Sequence, residues 1–326
     1  MNKEIFKFLT RMMFLLLYIV FILVFIFVFL PSSSPLYAHP TSKLKVVASL
    51  FPLQEFARAV GGEEVQVSLL LPPGAEAHTW EPRPSDVVKI AGADIFIYIG
   101  PSLEPWIDKV LKAVQGKKMR VLEAGRGLSL LKGEEAEGRT VHSHGPRTPG
   151  KMDPHVWLDF SLDLKIVDAI ALAFSEKDPG QASLYKNNAE IYKAKLNDLD
   201  QKYRKSLAKC RHRQILLSGH AAFAYLAKRY ELQQIALSGI SPDAEPTPKR
   251  MAEVIEAARR SGIKFIYAEE LVNPKLAQSL SKEAGIGVLV LNAGHNLTPQ
   301  QVKQKVTFLE LMEKNLKNLQ QGLECK

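Results

Sequence analysis

A chain of 326 residues, 46% hydrophobic and 24% charged, is long enough for two ordinary cores and too apolar for a disordered protein. The formal net charge is +9, of which Lys3, Lys7 and Arg11 against Glu4 supply +2. Elsewhere bases alternate with acids, apart from Lys117-Lys118-Met119-Arg120 and Lys209-Cys210-Arg211-His212-Arg213. That is a solvated surface, not the concentrated basic face of a nucleic-acid binder.

The N-terminal basic residues precede an uncharged apolar run, Met12–Leu30, followed by Pro31-Ser32-Ser33-Ser34-Pro35 and a small residue at Ala38. This order is that of an export signal whose positive end stays in the cytoplasm. Leu36 is a poor residue two places before a cut after Ala38, and the run approaches the length that spans a bilayer. Residues 1–38 therefore read either as a removed signal peptide or as a retained membrane anchor, and both put the folded part outside the cytoplasmic membrane. No cysteine adjoins the run to carry a lipid. The two cysteines, Cys210 and Cys325, either pair in an oxidising compartment or remain free thiols.

Beyond the leader, Leu44–Leu50 predicts a strand and Phe51–Val60 a helix. Val65–Leu71 is a second strand, stopped by Pro72-Pro73-Gly74, and it presents His78 within AEAHTWEPRPSD. There Trp80 is an anchor, and Ser85 with Asp86 caps a helix over Val87–Ala91. A strand at Ile95–Ile99, a helix at Leu103–Val114 and a strand at Arg120–Leu122 follow. Residues 126–152 are rich in glycine and proline and carry His142 and His144, so they read as a loop. It ends in DPHVWLD, where His155 enters a helix marked by Ile166, Val167, Ile170 and Phe174. Gln181–Cys210 contains no Gly or Pro and predicts a helix of about 45 Å.

The second half repeats the same grammar. Strand Gln214–Leu217, turn Ser218-Gly219-His220 and helix Ala221–Tyr230 come first. Strands at Leu232–Leu237, Phe265–Ala268 and Val288–Leu291 alternate with helices at Thr247–Arg260, Lys275–Ala284 and Gln300–Leu319. His295 lies just past the last strand. The class is α/β: two parallel-sheet lobes, residues 44–180 and 211–326, joined by one long α-helix over residues 181–210. His78, His155, His220 and His295 all fall at strand exits or helix starts, the edge where open α/β sheets bind ligands. Clustered neutral imidazoles suit zinc, whereas oxygen-rich sets suit manganese.

These residues resemble the solute-binding proteins of zinc and manganese ABC importers, over about Val46–Leu319. The carriers are AEAHTWEPRPSD, DPHVWLD, SGHAAFAYLAKRY and GISPDAEPTPKRM, highly specific as a set. The resemblance implies two lobes joined by a long helix, a monomer, and a receptor delivering zinc to an ABC transporter permease. It assigns His78, His155 and His220 as metal ligands of the zinc type. Many members carry an acid after the last strand; here His295 stands there, and His295, Glu269 or water completes the shell. The His-rich loop of zinc members shrinks to His142 and His144, which leaves manganese as an alternative. A metallohydrolase would need a general base, and there is no His-Glu-x-x-His; Glu76, Glu81, Glu269 and Glu270 have no spacing that assigns one. An adhesin role rests on family analogy alone.

Overall fold

The computed structural model describes residues 3–29, 43–133, 152–242, 246–271 and 274–326. His39, His142 and His144 lie outside the described residues. The chain divides into two compact units, Met1–Thr41 and Ser42–Lys326. The first holds one helix, α1 (Lys3–Phe29).

The second unit contains two four-stranded parallel sheets of one design. In the first, β1 (Leu44–Ala48), β2 (Val65–Leu69), β3 (Ile95–Tyr98) and β4 (Arg120–Glu123) stand in the order β2-β1-β3-β4. In the second, β5 (Gln214–Leu217), β6 (Gln233–Ala236), β7 (Phe265–Glu269) and β8 (Gly287–Leu291) stand in the order β6-β5-β7-β8. Every residue of β3 is buried, which is why Ile95–Tyr98 is continuously apolar: helices cover both faces of a parallel sheet. The crossover helices are α2 (Phe51–Gly61), α3 (Pro84–Ala91) and α4 (Ile107–Ala113) in the first half. In the second they are α7 (Ala224–Arg229), α8 (Pro248–Ser261) and α9 (Lys275–Ala284), after α5 (Phe160–Lys177) and the joining helix α6 (Ala182–Leu207). α10 (Pro299–Lys303) and α11 (Phe308–Gly322) close the chain.

α6 is the predicted long helix, about 39 Å for its 26 residues. Its buried stripe, Tyr185, Tyr192, Leu196, Leu199, Tyr203 and Leu207, packs on α2, α5 and α11, elements that flank both sheets. Phe56 of α2 meets Phe308 of α11 edge to face at 5.3 Å, so one apolar core runs beneath both lobes. Trp80 is the anchor expected of it, with its ring at 5.7 Å from Trp106.

Several element boundaries differ from the expectation, each for a local reason. α3 starts at Pro84, whose fixed φ suits a first turn, and the Asp86 carboxylate accepts from the Arg83 backbone N–H at 2.9 Å, so Ser85 lies inside the helix. α4 loses its first turn because Glu104 folds back onto the end of β3, accepting from the N–H of Ile99 and Gly100. α7 begins only at Ala224, since residues 218–223 turn about His220 and the Ala221 N–H is taken by the Gly239 carbonyl. The predicted terminal helix is two helices, broken where Lys305 adopts φ 54° and Thr307 caps α11 by accepting from the Glu310 N–H. Cys210 and Cys325 form a disulfide across 115 residues.

Candidate metal centre

Three imidazoles meet at the carboxyl edges of the two sheets. His78 comes from the turn after β2, His155 from the turn before α5, and His220 from the exit of β5. β5 and β7 adjoin at the point where the second sheet's strand order reverses, and in such sheets ligands bind there. The His155 Nε2 lies 3.2 Å from the Nε2 of His78 and 3.2 Å from that of His220. Nitrogens bound tetrahedrally at 2.0–2.1 Å from zinc would stand about 3.3–3.4 Å apart, so the triad already has nearly the spacing of a zinc shell. Among the described residues these three form the His/Cys/Asp/Glu group whose ligand atoms all lie within 4.8 Å of one another.

Two carboxylates fix which nitrogen faces the centre. Asp153 accepts from both the backbone N–H and Nδ1 of His155, at 2.9 and 2.7 Å. Glu269, at the end of β7, does the same for His220 at 2.8 and 2.9 Å. With each Nδ1–H donated outward, each Nε2 turns a lone pair inward. A carboxylate behind a ligating histidine sets its tautomer and raises its basicity. Burial, with the neighbouring His220 and His295, holds His155 well below the usual imidazole range, so it is neutral at pH 7. Burial opposes charge on His220 too, but the facing Glu269 carboxylate outweighs it and raises the His220 pKa. Burial alone lifts the Asp153 carboxyl to about 7.

Glycine decides whether Glu269 can reach. A Cβ on Gly219 would stand 1.9 Å from the Glu269 Oε1. In the sequence Ser218-Gly219 reads only as a turn; the signal for a second role is a glycine immediately before a candidate ligand. Glu269 therefore lies behind His220, engaged on the Nδ1 side, and is not itself within the cluster.

His295 does not join the three within that spacing. Its ring is buried, both ring nitrogens lack a hydrogen-bond partner, and its Nε2 stands 3.7 Å from the Glu76 Oε2. The segment carrying it is stitched to the first lobe. The His295 carbonyl accepts from the Phe51 N–H, and the Asn296 amide donates to the carbonyls of Pro72 and Ala75. Trp157, two residues past His155, donates its indole N–H to the Ala293 carbonyl at 2.7 Å. The hydroxyl of Tyr225 accepts from the Leu131 N–H and donates to the Asp153 carbonyl. Direct bonds thus join the two halves beside His155. None of Trp157, Tyr225 or Asn296 stood out in the sequence as a cleft residue.

The family model for the zinc-uptake complex component A, periplasmic, matches residues 46–322. The chain belongs to this family. The zinc-binding lipoprotein AdcA of Streptococcus pneumoniae is 39% identical over 281 residues, 86% of this chain and 56% of that protein. This chain therefore spans little more than half of that relative. The high-affinity zinc uptake system protein ZnuA of Bacillus subtilis is 34% identical over 284 residues, 87% of this chain and 89% of that one. Among solved structures, the Zn(II)-bound ZnuA-like domain of S. pneumoniae AdcA aligns with a TM-score of 0.74 at 36% identity, covering 87% of this chain and all of that domain. The family thus has the fold built here: two parallel-sheet α/β lobes on one long helix.

Proposed function

We propose that the chain is an extracytoplasmic receptor that captures one zinc ion through the Nε2 atoms of His78, His155 and His220 and delivers it to an ABC importer in the membrane. The observation that carries this reading is the convergence of three Nε2 atoms, two of them 3.2 Å from the third, with Asp153 and Glu269 holding the Nδ1 side of two rings. Nitrogen donors of this kind favour zinc over manganese, which takes oxygen. His295 is the proposed fourth ligand, brought in by a small shift of its loop, since its unpartnered ring nitrogens are already buried beside the cluster. The proposed lobes are residues 44–180 and 211–326, with 181–210 as the connector, and the receptor works as a monomer.

The reading has no catalytic step. Glu269 is taken up by His220, and Glu270 accepts from the amides of Asn292 and Gln301. Neither carboxylate is disposed as a general base for a metal-bound water. Zinc competition titration of the metal-free protein tests the assignment. His220→Ala is expected to weaken zinc binding by two orders of magnitude or more while the circular dichroism spectrum is retained. Wild-type affinity in that variant would remove His220 from the shell, and a preference for manganese in the wild type would overturn the zinc assignment.

A further inference from the structure

We propose that α1 is not a removed signal but a permanent single-span anchor, and that the lipid bilayer is the partner of its whole surface. A secretory signal has an apolar segment of about 7–15 residues, whereas a bilayer core about 30 Å thick needs about 20. The uncharged run of residues 12–30 would measure about 28 Å as a helix, long enough to span that core. α1 is unbroken over its 27 residues, and its window Ile5–Ile22 has a mean hydropathy of 2.1 with none of it buried. Ile5, Phe8, Met12, Leu15, Ile19 and Phe25 are all exposed. Beyond Arg11 the helix has no charged residue and so no water-facing stripe, and the stable medium of that part is hydrocarbon.

The sequence after α1 offers no good cut. A cut after Ala38 puts Leu36 where a small residue is required. The alternative small pair, Ser32 and Ser34, is followed by Pro35, so the bond to be cut is a proline imide. Cys210 and Cys325, the chain's two cysteines, are joined to each other and so offer no free thiol for acylation. Lys3, Lys7 and Arg11 lie at the N-terminal end of the span, which keeps that end in the cytoplasm and the folded unit outside. α1 thus does for this chain what a lipid does for a lipoprotein.

The test is to express the full chain with a C-terminal tag in a bacterium, separate membranes, wash them with alkaline carbonate, and weigh the purified protein by intact mass spectrometry. The anchor predicts the uncut chain of 36.4 kDa plus the tag, retained in the carbonate-washed membrane. A chain beginning near His39, or an uncut chain that carbonate releases, overturns it. Leu36→Ala supplies the missing small residue without touching the folded unit. A new shortened, soluble fraction in that variant alone identifies Leu36 as what retains the span. An intact, membrane-bound L36A beside an intact wild type supports the anchor on length alone. Fractionation reads α1 and zinc titration reads the metal centre, so failure of one is distinguishable from failure of the other.

Discussion

The proposed ligand histidines differ in what stands behind them. His155 has Asp153, two residues away along the chain and wholly buried, whereas His220 has Glu269, reached across the sheet from β7 through the gap at Gly219. Both carboxylates fix a tautomer, but only Glu269 carries its histidine's pKa upward against burial, and His220 in turn holds the Glu269 carboxyl below its ordinary value despite burial. Glu269 is therefore a charge as well as a tether. Glu269→Gln keeps the volume and one acceptor and removes the charge. It is expected to weaken zinc binding by about 10–100-fold, as loss of such a partner does elsewhere, with the fold unchanged. Equal affinities of variant and wild type in competition titration would mean that the hydrogen bond alone suffices.

At the scale of elements, α5 packs its buried face on α6 with a carboxyl group in it. Asp163 is fully buried, both its carboxylate oxygens lack a partner, and burial with the nearby Asp159 drives its pKa well above the ordinary value. Above pH 3.8 the native protein then holds on to a proton that the unfolded chain has released. Where the native state binds more protons, stability falls as pH rises, here from about pH 4 upward until the native group itself titrates. Asp163→Asn removes that dependence. Its denaturation midpoint is expected to match the wild type near pH 4 and to exceed it increasingly toward pH 8; parallel pH profiles would show that Asp163 has a partner that satisfies it. No periodicity rule could have flagged Asp163, because the stripe Ile166, Val167, Ile170 and Phe174 reads as a normal amphipathic face whatever stands a turn earlier. The sequence carried element order, both sheets and the long helix, since those follow from runs and breakers. It did not carry where helices start, because that was decided by tertiary bonds such as Glu104 on the end of β3 and Gly239 on Ala221. The triad was legible because each histidine adjoins a strand exit or helix start. His295 was equally well placed in the pattern, but the distance between its ring and the cluster is a matter of loop geometry.

In the whole folded unit, the two sheets are joined covalently by α6 and closed by the 292–297 segment, and the disulfide bears on the second of these. Cys325 follows α11, whose Asn315 amide holds Asn292 at the exit of β8 through bonds of 2.8 Å in each direction. Cys210 follows α6 and precedes β5, the strand that presents His220. The bond therefore ties the end of α11 to the approach of β5, reinforced by Arg211 N–H to the Glu324 carbonyl and His212 N–H to the Leu323 carbonyl. A loop of 115 residues is long, and removing such a link typically costs about 2–5 kcal/mol. Cys325→Ser, or thiol reductant on the wild type, is expected to lower the free energy of unfolding by that amount, read as a lower denaturation midpoint. Because α11 keeps its caps and its buried face of Phe308, Leu311, Met312 and Leu319, the fold persists at room temperature, and zinc affinity changes less than stability does. Equal loss of both would mean that the closed cleft depends on the disulfide. Unchanged stability would mean that the backbone bridge at Cys210 and Cys325 and the ion pairs of Glu324 with Arg211 and Lys264 already hold the tail.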